Sequence, residues 1–101
     1  MNNFNQKYVI SLLVNKSDLL AYSKSVNYAN YMEFYMDAQE DLGKIIKTLE
    51  DLPDEHRERI EVYLFSGLKQ QDMAEKLNTK QPNIKRNFLR SINKLVKKLN
   101  D

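Results

Sequence analysis

The chain has 101 residues, of which 42% are hydrophobic and 30% are charged, and its formal net charge is +2. This length suits one domain, alone or with a helical extension, and excludes two large independent cores. The chain contains no cysteine, which excludes disulfides, thiolate metal sites and a cysteine nucleophile. Because there are only two glycines and two prolines among many helix-forming residues, we predict an all-α fold.

The two halves of the chain differ in charge. Residues 1–53 carry five cations and seven acids, a net charge of −2, whereas residues 54–101 carry eleven cations and seven acids, a net charge of +4. The second half is therefore the better candidate for binding an anion. No apolar run reaches the roughly 18 residues of a membrane span, and the N-terminus lacks the features of a signal peptide, so we expect a cytoplasmic protein.

The beginning of the chain has a helical spacing of apolar residues. Aromatic and aliphatic side chains recur there on one stripe: Phe4, Tyr8, Val9, Leu12 and Leu13. This stripe predicts a short helix from Phe4 to about Val14 with one buried face. Ser17 and Asp18 then predict the cap of a second short helix that ends near Tyr22, and residues 23–27 predict a polar connection.

A heptad pattern follows, and we interpret residues 1–52 as an N-terminal helical arm that contains it. Its members alternate at spacings of three and four residues: Tyr28, Tyr31, Tyr35, Ala38, Leu42, Ile45, Leu49 and Leu52. Such a seam predicts a long helix that packs against another helix. The partner is either the rest of the same chain or a second copy of it. The homodimer would form through six members: Tyr28, Tyr31, Tyr35, Leu42, Ile45 and Leu49.

The second half, residues 53–101, has the pattern of three helices, predicted at 53–67, 68–77 and 80–99. In the middle helix, Met73, Ala74 and Leu77 share one inner face. A residue as small as Ala74 lets two crossing helices approach closely, as a helix-turn-helix requires. The last helix has one apolar stripe with spacings of three or four residues: Ile84, Phe88, Ile92, Leu95 and Leu99.

Basic residues dominate the last predicted helix. Between Thr79 and Lys98 there is no acid, and there are seven cations: Lys80, Lys85, Arg86, Arg90, Lys94, Lys97 and Lys98. Cations near the C-terminal end of a helix interact favourably with the helix dipole, whereas cations near its N-terminal end do not. The early cations therefore favour a polyanion-binding face over a merely solvated one.

A series of short motifs runs through the same region in a fixed order: Leu52-Pro53, Ile60 to Leu64, Ser66-Gly67-Leu68, Met73 to Leu77, and Asn83 to Arg86. The series resembles the C-terminal promoter-binding domain of bacterial sigma factors, their region 4, which small phage and mobile-element transcription activators share. The resemblance implies a three-helix core whose last helix enters the major groove of DNA. It also implies a set of DNA-binding residues. Four would face bases, namely Gln81, Asn83, Lys85 and Arg86, and four would lie near phosphates, namely Lys69, Gln70, Lys80 and Arg90.

The turn before the last helix departs from the family's pattern. The family often has Gly where Asn78 stands, an aliphatic residue at Thr79, and Ser or Thr at Lys80. Asn tolerates a left-handed backbone, so the turn can be kept. Pro82 must lie in the first turn of the last helix, where no intrahelical donor is lost, and this makes Thr79 the predicted cap.

Together these features predict a sequence-specific duplex DNA-binding transcription regulator that acts with RNA polymerase and has a phage or mobile-element origin. No second domain of the kind that a complete sigma factor uses to open a promoter is recognisable, so we do not expect it to start transcription alone. The acidic, tyrosine-rich first half favours an alternative, a protein-interaction module that docks on RNA polymerase or another regulator. A DNA-packaging or ribonucleoprotein accessory factor is a third interpretation.

We expect no enzyme, metal or cofactor. The single histidine, His56, lies among charged residues at a predicted helix start, where solvation explains it. Both glycines stand alone, so there is no phosphate-binding loop. Acids that are adjacent in sequence, such as Glu40 and Asp41, point to different sides of a helix and do not form an acid and base pair.

Overall fold

The computed structural model describes residues 3–16 and 32–101, with side chains from residue 37 onward in the second range. All regular structure in these ranges is helical, which confirms the predicted all-α fold. The helices are α1 (Gln6–Val14), α2 (Met32–Glu50), α3 (Asp54–Phe65), α4 (Gln70–Lys76) and α5 (Ile84–Asn100), with a 3-10 turn at Gln81–Asn83. None of these helices is long and apolar enough to cross a membrane. The predicted short helix at Ser17–Tyr22 and the connection at 23–27 lie outside the described residues.

Helix α1 forms as its apolar stripe predicts. The side chain of Asn5 caps it by accepting a hydrogen bond from the Tyr8 N–H at 2.8 Å. Val9, Leu12 and Leu13 are buried on its inner face, with Phe4 just before the helix. Helix α1 therefore packs against the other helices through its buried inner face.

Helix α2 carries the second part of the heptad seam. The seam members whose side chains are described, together with Leu52 just beyond the helix, are all buried: Ala38, Leu42, Ile45, Leu49 and Leu52. They pack in one cluster with residues of α1, α3 and α5 of the same chain. A homodimer through Leu42, Ile45 and Leu49 is therefore wrong, because these side chains are already covered. Tyr28, Tyr31 and the side chain of Tyr35 lie outside the described residues.

Two hydrophobic clusters stabilise the described part of the chain. We call the larger one the main core; it consists of Phe4, Val9, Leu12, Leu13, Ala38, Leu42, Ile45, Leu49, Leu52, Ile60, Phe88, Ile92 and Leu95. We call the smaller one the turn cluster; it consists of Val62, Met73, Ala74 and Ile84. The main core draws residues from both sides of Pro53, and the proposed domain boundary there stays a prediction.

Candidate nucleic-acid interface

The turn between α4 and α5 is organised around Asn78, which has a φ of +52°. The Asn78 N–H donates to the Glu75 carbonyl at 3.2 Å, and the Thr79 N–H donates to the Ala74 carbonyl at 2.9 Å. These two bonds form a Schellman motif, in which a left-handed residue ends a helix and satisfies its last carbonyl groups. The prediction that an asparagine supports the turn at this position is confirmed.

The turn cluster brings α4 and α5 together behind this turn. Met73 and Ala74 of α4 are buried against Ile84 at the beginning of α5 and Val62 of α3, with Leu77 packed at the edge. The predicted inner face of α4 and the packing role of Ala74 are confirmed. The three helices α3, α4 and α5 thus follow one another in the order that a helix-turn-helix domain requires.

The last helix begins later than predicted. A 3-10 turn precedes it, closed by the Asn83 N–H, which donates to the Lys80 carbonyl at 2.9 Å. Pro82 lies inside this 3-10 turn and not, as predicted, in the first turn of the last helix. The prediction that Thr79 caps the helix is wrong, because Lys80 is the residue before the 3-10 turn and Asn83 is the residue before α5. Thr79 belongs instead to the Schellman motif that ends α4.

Helix α5 has a buried side and a basic side. Ile84, Phe88, Ile92 and Leu95 are buried and Leu99 is half-buried, so the predicted stripe is confirmed. The predicted DNA-binding residues fall on three elements. Lys69 and Gln70 lie at the start of α4, Lys80, Gln81 and Asn83 at the 3-10 turn, and Lys85, Arg86 and Arg90 in α5. Asn83 is half-buried, and the other seven are exposed.

Two of the predicted base-facing residues are in direct contact. The Arg86 guanidinium donates through Nη2 to the Asn83 amide oxygen Oδ1, three residues earlier. Asn83 precedes α5, yet its side chain makes no capping hydrogen bond among the described residues. The leading turn of the basic face is therefore partly ordered by its own side chains.

A polar cleft lies between α3 and the turn. It is lined by Glu55, Arg59, Leu77, Asn78, Thr79, Ile84 and Asn87. Within it the Arg59 guanidinium and the Glu55 carboxylate form an ion pair at 2.8 Å. Asn87 was not among the predicted site residues. Its position on a helix that is polar over most of its circumference provides no signal that separates it from its neighbours.

The environment of His56 differs from the solvated one that we expected. Its Nδ1 lies 3.0 Å from the Ser91 hydroxyl oxygen, and Ser91 is fully buried. Burial lowers the pKa of His56, the charges of Lys94 and Arg59 lower it further, and Glu55 opposes them. A signal was present in the sequence, since Ser91 lies three residues after Phe88 and four before Leu95, on the buried stripe, and a buried hydroxyl needs a partner.

Comparison with known proteins agrees with this arrangement. The family model for ECF sigma factors matches residues 19–101. No curated protein and no solved structure matches the chain. The family match begins well before the motifs that resemble region 4, so it covers α2 as well as α3, α4 and α5. The chain belongs to the ECF sigma factor family, and its role is a transcription-related one that involves DNA and RNA polymerase.

Proposed function

We propose that the chain is a non-enzymatic transcription regulator that binds duplex DNA in a sequence-specific manner and acts with RNA polymerase. The observation that carries the proposal is an exposed, acid-free basic surface, formed by Lys80 before the 3-10 turn and by Lys85, Arg86 and Arg90 of α5. Cationic side chains on one face of a helix after a tight turn fit the negative major groove. A phage or mobile-element origin and a cytoplasmic location belong to the same proposal, and the resemblance to small activators supports the first.

The proposal assigns two kinds of contact to the predicted residues. Gln81 and Asn83 of the 3-10 turn, with Lys85 and Arg86 in the first turn of α5, are assigned to base edges. The second group, assigned to phosphates, is Lys69, Gln70, Lys80 and Arg90. An arginine that bonds guanine O6 and N7 contributes about 1 to 3 kcal/mol of discrimination, whereas a phosphate contact contributes affinity without sequence preference.

Two measurements test this division: selection of bound duplexes from a random pool, and salt-titrated binding to a random duplex. Arg86→Ala is expected to remove a base preference at one position. Arg90→Ala is expected to weaken binding evenly across sequences and to reduce the salt slope by about one unit. Lys97→Ala is the matched control, because Lys97 is an exposed cation in the last turn of α5, about 18 Å along the helix from Lys85.

The proposal is wrong if the wild-type chain binds random duplex without salt dependence, because phosphate contacts release counterions and make affinity fall as salt rises. That result favours the protein-interaction module instead. If Arg86→Ala and Arg90→Ala change the selected sequences in the same way, duplex binding stands but the division into base and phosphate contacts is wrong.

A further inference from the structure

We propose that Asn83 is a positioning residue for Arg86 and does not read a base of its own: its amide oxygen holds the Arg86 guanidinium, and Arg86 reads a guanine. This inference rests on the proposed function and refines it. It reduces the number of side chains that discriminate bases on the leading turn of α5. It also ties the guanine preference to an asparagine that lies three residues before the arginine.

The backbone explains why the Asn83 side chain is available. An asparagine that caps a helix usually has an extended backbone, and its side chain accepts a hydrogen bond from a backbone N–H two or three residues later. Asn83 has helical dihedral angles, with φ −90° and ψ −9°, because the 3-10 turn leads directly into α5. With the chain already helical, its amide oxygen accepts from the Arg86 side chain instead.

The Arg86 guanidinium is exposed and has a cation, Arg90, one turn further along the same helix. A positive neighbour on the same face disfavours a second charge there, and a long unpaired side chain samples many rotamers that binding has to restrict. A hydrogen bond to a neutral amide orders the arginine before DNA arrives and leaves its positive charge in place.

The Arg86 guanidinium has enough N–H donors to bond Asn83 and one guanine at the same time. A guanidinium has five N–H donors, so one bond to Asn83 leaves four, and guanine recognition through O6 and N7 uses two. An asparagine that reads adenine needs its amide oxygen to accept from adenine N6. In Asn83 that oxygen is engaged by Arg86, which makes the residue poorly suited to reading adenine in the same state.

Selection from a random duplex pool tests the inference with four variants: Arg86→Ala, Asn83→Ala, Asn83→Asp and the double alanine variant. Arg86→Ala is expected to abolish the preference for guanine at one position. Asn83→Ala is expected to reduce the preference at that same position about three- to tenfold, since the arginine must then be ordered on binding. Asn83→Asp keeps the accepting oxygen and is expected to keep the guanine preference, with lower overall affinity because it adds a negative charge.

The double variant is expected to select the same sequences as Arg86→Ala alone, because two residues that act through one contact are not additive. Lys97→Ala is the matched control, an exposed residue in the last turn of α5 outside the assigned contacts, whose loss leaves the guanine position unchanged. Circular dichroism melting curves verify that each variant is folded.

Two results overturn the inference. In the first, Asn83→Ala removes a preference at a different position and leaves guanine in place, which makes Asn83 an independent reader. In the second, Asn83→Ala and Asn83→Asp weaken binding equally at all positions, which leaves only a structural role. A wild-type chain without salt-dependent duplex binding refutes the proposed function itself, and this outcome is distinct from both.

Discussion

The two ends of α5 are held in different ways. Its later part supplies Phe88, Ile92 and Leu95 to the main core, which has thirteen buried residues, eleven of them from four helices. Its beginning supplies only Ile84 to the turn cluster, which has four. Most of the buried apolar side chains therefore lie away from the segment that is proposed to bind DNA. The leading turn can therefore present polar side chains at little cost to the core.

Polar contacts reinforce the same difference. Around the main core, Asn100 bonds both backbone groups of Phe4, accepting from its N–H at 2.9 Å and donating to its carbonyl at 2.8 Å. Gln6 donates to Asn93 at 3.1 Å on the same pair of helices. The turn is held largely by the backbone bonds of its Schellman motif. Side-chain changes are thus expected to affect stability mainly at the core and binding mainly at the turn.

The prediction with the largest expected effect compares one alanine substitution in each cluster. Ile92→Ala removes a fully buried side chain from the main core and is expected to lower the free energy of unfolding by about 2 to 5 kcal/mol. Met73→Ala in the turn cluster is expected to cost about 2 kcal/mol, because Met73 is 7% exposed and its cluster is small, and to weaken duplex binding more than Ile92→Ala among molecules that remain folded. Chemical denaturation and binding titrations measure both. A larger loss of stability from Met73→Ala contradicts the comparison.

The second prediction concerns the polar contact between α1 and α2. The Tyr8 hydroxyl donates to the Asp41 carboxylate at 2.6 Å, and Asp41 is 2% exposed. Tyr8→Phe is expected to lower the free energy of unfolding by about 1.5 to 3 kcal/mol, because a buried carboxylate loses a donor. The control is Tyr63→Phe, which keeps the ring that stacks on Phe88 at a centroid distance of 4.1 Å and is expected to change stability by less than about 0.5 kcal/mol.

The same pair has an alkaline signature. Burial, the hydrogen bond to Asp41, and the charges of Asp41 and Asp37 raise the pKa of Tyr8 from 10.0 to about 12. Because the pKa of Tyr8 is higher in the folded state than in the unfolded state, the contribution of its hydrogen bond to stability is fully present below pH 10. That contribution is lost as the pH rises toward 12. The stability difference between the wild type and Tyr8→Phe is expected to shrink over that interval. A constant difference contradicts the assigned contact.

The third prediction compares alanine at two backbone positions. Asn78→Ala is expected to lower the free energy of unfolding by about 1 to 2 kcal/mol, because alanine is strained at φ +52°, whereas Asn78→Gly keeps the turn. Gly43→Ala in α2 has the opposite sign, with a gain of about 0.5 to 1 kcal/mol, because Gly43 is helical and an added Cβ meets nothing within 4 Å. Thermal unfolding measures both. Equal effects of alanine at the two positions contradict the left-handed turn.

The smallest effect is a pH dependence at the main core's edge. The pKa of His56 is lowered in the folded chain by burial, Lys94 and Arg59, so the folded state favours the neutral ring. The contribution of neutral His56 to folding stability is fully present above the pKa of the unfolded state, 6.5. This contribution is lost as the pH falls from there through the pKa of the folded state. His56→Gln is expected to weaken this acid sensitivity in unfolding measured between about pH 7 and pH 5. Unchanged sensitivity contradicts the account of His56.

Periodicity along the chain was enough to predict the helices and their buried faces. Stripes such as Ile84, Phe88, Ile92 and Leu95 can be recognised because an α-helix returns to the same face every three or four residues. The corner at Asn78 was also predictable, because tolerance of a left-handed backbone is a property of the residue itself. The basic character of the last helix follows from counting charges.

The partners of those faces were decided only by tertiary structure. The heptad seam was compatible with a second copy or with the same chain, and folding placed Leu42, Ile45 and Leu49 in the main core because α1 and α5 pack on them. His56 meets Ser91 across 35 residues of sequence, and no local pattern encodes a contact between different helices. The later beginning of α5 has the same cause. The Thr79 N–H bonds a carbonyl at the end of α4, so Thr79 belongs to the turn that ends α4 and does not cap α5.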